Sequence, residues 1–174
     1  MNVIRIAGDP VLRVKAADVE EFDGRLITTC HSMFETMYEA PGIGLAATQV
    51  GIQKNFFVYD DEGEPKILIN PRIVESGGSW DYEEGCLSIP GIYLNLTRPK
   101  VVTVTGYDQD GNEVVIEADE LLARLFQHEL DHLNGVLMLD HLSAEEQDST
   151  WNEFNALKES GKIAPARKGA TPFD

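Results

Sequence analysis

Gln127-His128-Glu129-Leu130-Asp131-His132-Leu133 sets two histidines four positions apart, with a glutamate directly after the first. Upstream, Leu122, Leu125 and Phe126 continue a helical spacing, and Asn134-Gly135 is a stop signal, so the stretch predicts a helix over about 119–133. Residues four apart on a helix differ by about 40° around its axis, which puts both imidazoles on one face. Glu129 is turned about 100° from His128, placed to touch a water held between the rings but badly placed to be a ligand itself. The apolar neighbours turn this face into the core, where two histidines and a glutamate are costly without a partner. A metal ion is such a partner.

Two histidines leave a third ligand to find, because catalytic sites of this type keep three protein ligands and one open position. Downstream stand His141, Glu145, Glu146 and Glu153, and His141 lacks the spacing of the extended H-E-x-x-H-x-x-G-x-x-H pattern. Upstream, Cys86 lies in Glu83-Glu84-Gly85-Cys86-Leu87-Ser88-Ile89-Pro90, read as a loop bracketed by Gly and Pro that can aim a side chain inward. A thiolate with two imidazoles suits a soft or borderline divalent ion. The other cysteine, Cys30, falls on an apolar helical stripe and reads as an inert core thiol.

Around this centre the chain alternates between two periods. Leu26, Ile27, Cys30, Phe34, Met37 and Tyr38 predict a helix from Asp23 to Ala40, ended by Pro41-Gly42. Gly42-Ile43-Gly44-Leu45-Ala46-Ala47-Thr48-Gln49-Val50-Gly51 has neither the lysine of a phosphate loop nor a following helix, and reads as a tightly packed loop whose backbone approaches a ligand. Short β-rich runs follow at 56–59, 67–69, 73–74, 101–105 and 113–116, the last two joined by the turn Gln109-Asp110-Gly111-Asn112. A third helix is expected over about 143–159, with Ser143 and Glu146 forming a capping box. Separate helices and strands without βαβ alternation give an α+β fold: short antiparallel strands packed around a central helix that carries the H-E-x-x-H run, plus a C-terminal helix.

The chain has 174 residues, one domain's worth, with 14 Lys+Arg against 30 Asp+Glu and a formal charge of −16. That charge repels phosphate backbones and anionic lipid, which disfavours DNA and membrane surfaces as partners. No apolar run approaches the roughly 18 residues of a membrane span, no signal peptide is expected, and two cysteines do not make a disulfide framework. A cytoplasmic protein is expected.

Three stretches, Gly42-Ile43-Gly44-Leu45-Ala46-Ala47-Thr48-Gln49, Glu84-Gly85-Cys86-Leu87-Ser88 and Gln127-His128-Glu129-Leu130-Asp131-His132, together resemble the three signature motifs of the peptide deformylase family in order and spacing. The similarity extends over about residues 1–160, expected to be a single catalytic domain, with 161–174 as a loose C-terminal tail. The resemblance implies a metal-dependent hydrolase that removes the N-formyl group from the N-terminal formylmethionine of new polypeptides and releases formate. It implies Cys86, His128 and His132 as metal ligands and Glu129 as general acid/base. The Gln49 amide and the Leu87 backbone N–H would hold the oxyanion, and Ile43 and Gly44 would bind substrate. One divalent ion is implied, with Fe(2+) the expected metal and zinc, nickel or cobalt compatible. Thr48 stands where many members of the family have Asn.

Weaker signals surround the motifs. Arg124, one turn before His128, reads as an exposed helix charge paired with Glu120. Arg98 and Glu84 are a candidate ion pair steadying the cysteine segment. Trp80, Tyr82, Tyr93 and Met138 read as core or cleft wall. Lys158, Lys162, Arg167 and Lys168 make the C-terminal region locally positive, which reads as a solvated tail or as a weak ribosome contact. A monomer is expected. A metallopeptidase with a downstream acidic ligand and a non-catalytic zinc module are the competing readings of the same helix.

Overall fold

Asp23 starts the first helix, its side chain accepting the Leu26 amide at 3.0 Å, and α1 runs Gly24–Glu39. Cys30, Met33 and Met37 are buried on one stripe, whereas Tyr38 turns outward and its hydroxyl donates to Asp60 at 2.5 Å. The computed structural model describes residues 1–163.

After α1 the chain forms β1 (Gly44–Ala46), a 3₁₀ turn at Ala47–Val50, β2 (Phe56–Tyr59), β3 (Lys66–Gly77), β4 (Trp80–Gly85), β5 (Tyr93–Arg98), β6 (Val101–Tyr107) and β7 (Glu113–Asp119). Five of these make an antiparallel sheet in the order β1-β2-β3-β6-β7, and β4 and β5 pair separately. The expected hairpin is present: Val101 to Tyr107 pair with Asp119 to Glu113 in unbroken register.

Two expectations need correction. The runs at 67–69 and 73–74 belong to one twelve-residue strand, β3, that shifts register between Ile69 and Arg72 and again between Ile73 and Glu75. Asn70 takes φ 50° at the first shift, a conformation Asn tolerates, and its side-chain amide bonds both the Val19 N–H (2.8 Å) and the Val19 carbonyl (3.0 Å). The segment opening at Glu83 is a loop only from Cys86 onward, because Glu83–Gly85 end β4 and pair with Asn95–Tyr93. β4 carries a buried acid, Glu84, where its alternation calls for an apolar residue, while β5 alternates Leu94 and Leu96 with Asn95 and Thr97.

Helix α2 (Glu120–Leu133) follows β7 directly and includes His128 through His132. Its apolar side, with Leu125, Phe126, Leu130 and Leu133, packs on Phe57, Leu68, Val102 and Val104 of the sheet. Gly135 ends it with φ 75°, and a Cβ there would lie 2.7 Å from the Arg13 carbonyl oxygen, so the close approach of the N-terminal segment requires glycine. Two further clusters complete the core. One sets α1 against Phe56, Val58 and Leu87, and the other gathers Cys86, Ile89, Leu137, Met138 and Leu139 with Phe154. Phe154 comes from α3 (Ala144–Glu159), where the Ser143 hydroxyl accepts the Glu146 amide at 3.2 Å and donates to its carboxylate at 2.8 Å. Of the expected tail, Ile163 packs partly buried on this last cluster, and residues 164–174 lie outside the described residues.

Candidate metal centre

Three elements that are far apart in sequence meet at the polar side of α2. The turn after β4 brings Cys86, whose Sγ lies 3.3 Å from His132 Nε2, and His132 Nε2 lies 3.2 Å from His128 Nε2. Among the described residues, these three buried side chains are the group of metal-capable donors that converges, with ligand atoms within 4.8 Å of one another. The downstream alternatives lie elsewhere: Glu145, Glu146 and Glu153 are exposed on α3, and His141 sits 2.7 Å from Asp131.

The donor set fits a metal ion. Glu84 is fully buried, and burial opposes its ionisation. Hydrogen bonds from His128 and Arg98 outweigh that cost and hold its carboxyl well below the ordinary carboxylate range. An ionised carboxylate only accepts, so the 2.9 Å contact between Glu84 Oε1 and His128 Nδ1 is an Nδ1–H donation. That fixes the tautomer and leaves the Nε2 lone pair facing Cys86 and His132. The expected Arg98–Glu84 pair is present as a fork, with Nε to Oε2 at 2.6 Å and Nη2 to Oε1 at 3.0 Å. Arg98 Nη1 also reaches Asp131 at 2.8 Å.

The expectation for Arg124 is overturned. It is completely buried, donating from Nη1 to Glu84 Oε2 at 2.7 Å and from Nη2 to the Trp80 carbonyl, while Glu120 lies by Lys100 at 3.7 Å. The physical reason is its helical position four residues before His128, on the same face, where the buried Glu84 charge attracts a cation. Trp80 and Tyr82, stacked at 4.8 Å, cover its guanidinium at 5.6 and 5.9 Å.

The glycine-rich segment closes the other side. Gln49 is fully buried; its Oε1 accepts the Ala46 amide at 2.9 Å, and its Nε2 donates to Ser88 Oγ at 3.2 Å and points at Cys86 Sγ, 4.0 Å away. Sequence reading passed over Ser88, whose contact depends on a fold that sets 49 beside 88. Thr48 donates to the His132 carbonyl at 3.2 Å, tying the segment to α2. Leu87, next to Cys86, is buried in the α1 cluster. Gly44 lies against Glu129, and Ile43 packs partly buried on the α2 cluster. Cys30 is not among the converging donors but packs in the α1 cluster, where burial pushes its thiol up to about 12.

An α+β fold that sets a cysteine sulfur from the turn after β4 against two imidazoles on a helix, with a glutamate beside them, defines a metal-dependent hydrolase. The sequence profile of the family described as polypeptide deformylase matches residues 1–148, and the chain belongs to that family. The peptide deformylase of Brucella suis is 49% identical over 158 residues, covering 87% of this chain and 90% of its own length. Peptide deformylase 1 of Shewanella oneidensis is 51% identical over 146 residues, covering 82% and 86%. The crystal structure of a peptide deformylase from Legionella pneumophila superposes with a TM-score of 0.88 at 39% identity, over 95% of this chain and 99% of that one. Among the described residues, no helix is long and apolar enough to cross a membrane.

Proposed function

We propose that the chain removes the N-formyl group from the N-terminal formylmethionine of newly made polypeptides and releases formate. The single observation that carries this reading is the convergence of Cys86 Sγ with the Nε2 atoms of His128 and His132, in a chain of the deformylase family. Residues 1–160 act as one catalytic domain around α2, with the H-E-x-x-H run on this central helix.

Cys86, His128 and His132 hold one divalent ion. Such an ion supplies Lewis acidity, acidifying water and drawing charge from a carbonyl oxygen. Fe(2+) is the working metal we favour, and the same donors accept zinc, nickel or cobalt. Glu129, next to His128 and shielded from solvent, takes a proton from the attacking water and returns it to the leaving amine, since an amide nitrogen leaves poorly unless protonated. The Gln49 amide and the Leu87 N–H donate to the oxyanion that develops on the formyl oxygen, each donor contributing roughly 3 kcal/mol when well aimed. Ile43 and Gly44 line the approach, and the Gly44 backbone pairs with the substrate chain. Gln49 supports this role because its Oε1 is already engaged by Ala46, so its NH₂ is turned toward Cys86 and Ser88.

The protein works as a cytoplasmic monomer on nascent chains. The test is formate release from a formyl-Met dipeptide by protein purified without oxygen and reconstituted with ferrous iron, with acetyl-Met alongside. Formate without acetate is the expected result. A metal-loaded protein that releases neither would overturn the reading.

A further inference from the structure

Glu84 carries more positive charge than one carboxylate needs. Arg98 forks onto both of its oxygens, His128 donates to Oε1, and Arg124 adds a second guanidinium on Oε2. Arg98 is also shared, because its Nη1 binds Asp131. Two guanidinium cations thus face the buried Glu84 and the partly exposed Asp131, and with Arg124 removed the Arg98 guanidinium alone would be shared between them. Arg124 itself is held on several sides. Its Nη2 is tied to the Trp80 carbonyl, Trp80 and Tyr82 cover its plane, and none of its surface meets water. A fully buried guanidinium is too costly to persist as ornament on a helix.

We propose that Arg124 is a positioning residue for the metal centre. Gripping Glu84 Oε2 from α2 keeps Oε1 under His128 Nδ1, and so keeps the imidazole turned with Nε2 toward Cys86 and His132. Arg124 and His128 sit one helical turn apart, so the carboxylate from β4 is clamped between two side chains of the same helix. The ring cannot swing without moving the clamp. Lysine cannot substitute fully, because a single ammonium does not reproduce the fork that spans Glu84 and the Trp80 carbonyl.

This inference rests on Cys86, His128 and His132 holding the ion. The test therefore begins with the full chain loaded with Co(2+), whose visible bands report thiolate and imidazole ligation. Absence of such bands in the wild-type chain, or their persistence in Cys86→Ser, overturns the ligand assignment and this inference with it. With the wild-type bands in place, three readouts compare it with Arg124→Met: the bands, the rate of Co(2+) loss to a chelator, and kcat and KM for a formyl-Met dipeptide. We expect the variant to lose Co(2+) about tenfold faster, with shifted bands, lower kcat and KM within about twofold. Arg124→Lys should recover part of the difference. Wild-type bands and release rate in a folded Arg124→Met overturn the inference. If that variant does not fold, Trp80→Leu decides, since it strips a partly exposed ring from the guanidinium and leaves Glu84 intact. Release about threefold faster supports the role, and wild-type release overturns it.

Discussion

Gly44 lies directly against the carboxylate of Glu129: a Cβ at Gly44 would stand 2.7 Å from Oε1 and 3.2 Å from Cδ. Real Cβ atoms do not approach an oxygen so closely, so the Glu129 carboxylate holds this position only because residue 44 has no side chain. Gly44→Ala should push Glu129 away from the proton-transfer position. The expected loss in kcat is about 100-fold, the scale of an ångström of misplacement, with metal content unchanged. Steady-state kinetics and metal analysis of the same preparation check this, and wild-type kcat would show that Glu129 tolerates the displacement.

Glu129→Ala separates proton transfer from metal binding. Glu129 is not one of the converging donors Cys86, His128 and His132, so the variant should keep one metal per chain while kcat falls about 10²–10⁴-fold. An active, metal-loaded variant would remove Glu129 from the mechanism.

Cys86→Ser should lose metal, because an alcohol is a far poorer ligand than a thiolate for a borderline ion. The thiolate also carries an oxygen liability. Iron-loaded protein should inactivate in air faster than cobalt- or nickel-loaded protein, with Cys86 oxidised in the mass spectrum. Equal lifetimes for all three metals would count against iron as the working ion.

Cys30 offers an internal contrast. It is fully buried and burial pushes its thiol up to about 12, so at pH 8 almost none of it is thiolate. A thiol reagent should leave Cys30 unlabelled in the folded chain and label it at once in denaturant. Rapid labelling of native protein would mean that α1 opens readily.

Tyr59, 5% exposed, gives a pH signature at the alkaline end. Burial raises its phenol from the ordinary 10.0 to about 12, so folding favours the neutral form. Stability from this group is fully present below pH 10 and is lost as pH climbs from 10 towards 12. Tyr59→Phe should flatten that part of the stability curve while leaving the rest of its shape unchanged. Denaturant melts at several pH values check it.

Helix α2 was legible because its evidence is local. A 3.6-residue period, the four-residue spacing of His128 and His132 and the Asn134-Gly135 stop all act within a few turns. The β6–β7 hairpin and the Ser143 cap were legible for the same reason. The β4–β5 pair was passed over although Leu94 and Leu96 alternate with polar neighbours, because the buried Glu84 breaks the apolar alternation of β4 and Gly85 and Pro90 read as the bounds of a loop. Arg124 carried a signal, its place on the His128 face, but its neighbour Glu120 offered an equally local partner. The choice between exposure and burial depended on Glu84, forty residues upstream in the chain.

By itself, then, the sequence determined the α+β class, the helix that presents two imidazoles together, the helix caps and the candidate donors. These follow from short-range periodicity and from the chemistry of residue types. Only the tertiary structure decided that Cys86 and not a downstream acid meets the two histidines, that Glu84 fixes the His128 tautomer, and that Gly44 must be bare to admit Glu129. Each of those is a contact between residues distant along the chain, and such contacts exist only once the sheet, the helix and the loops have packed.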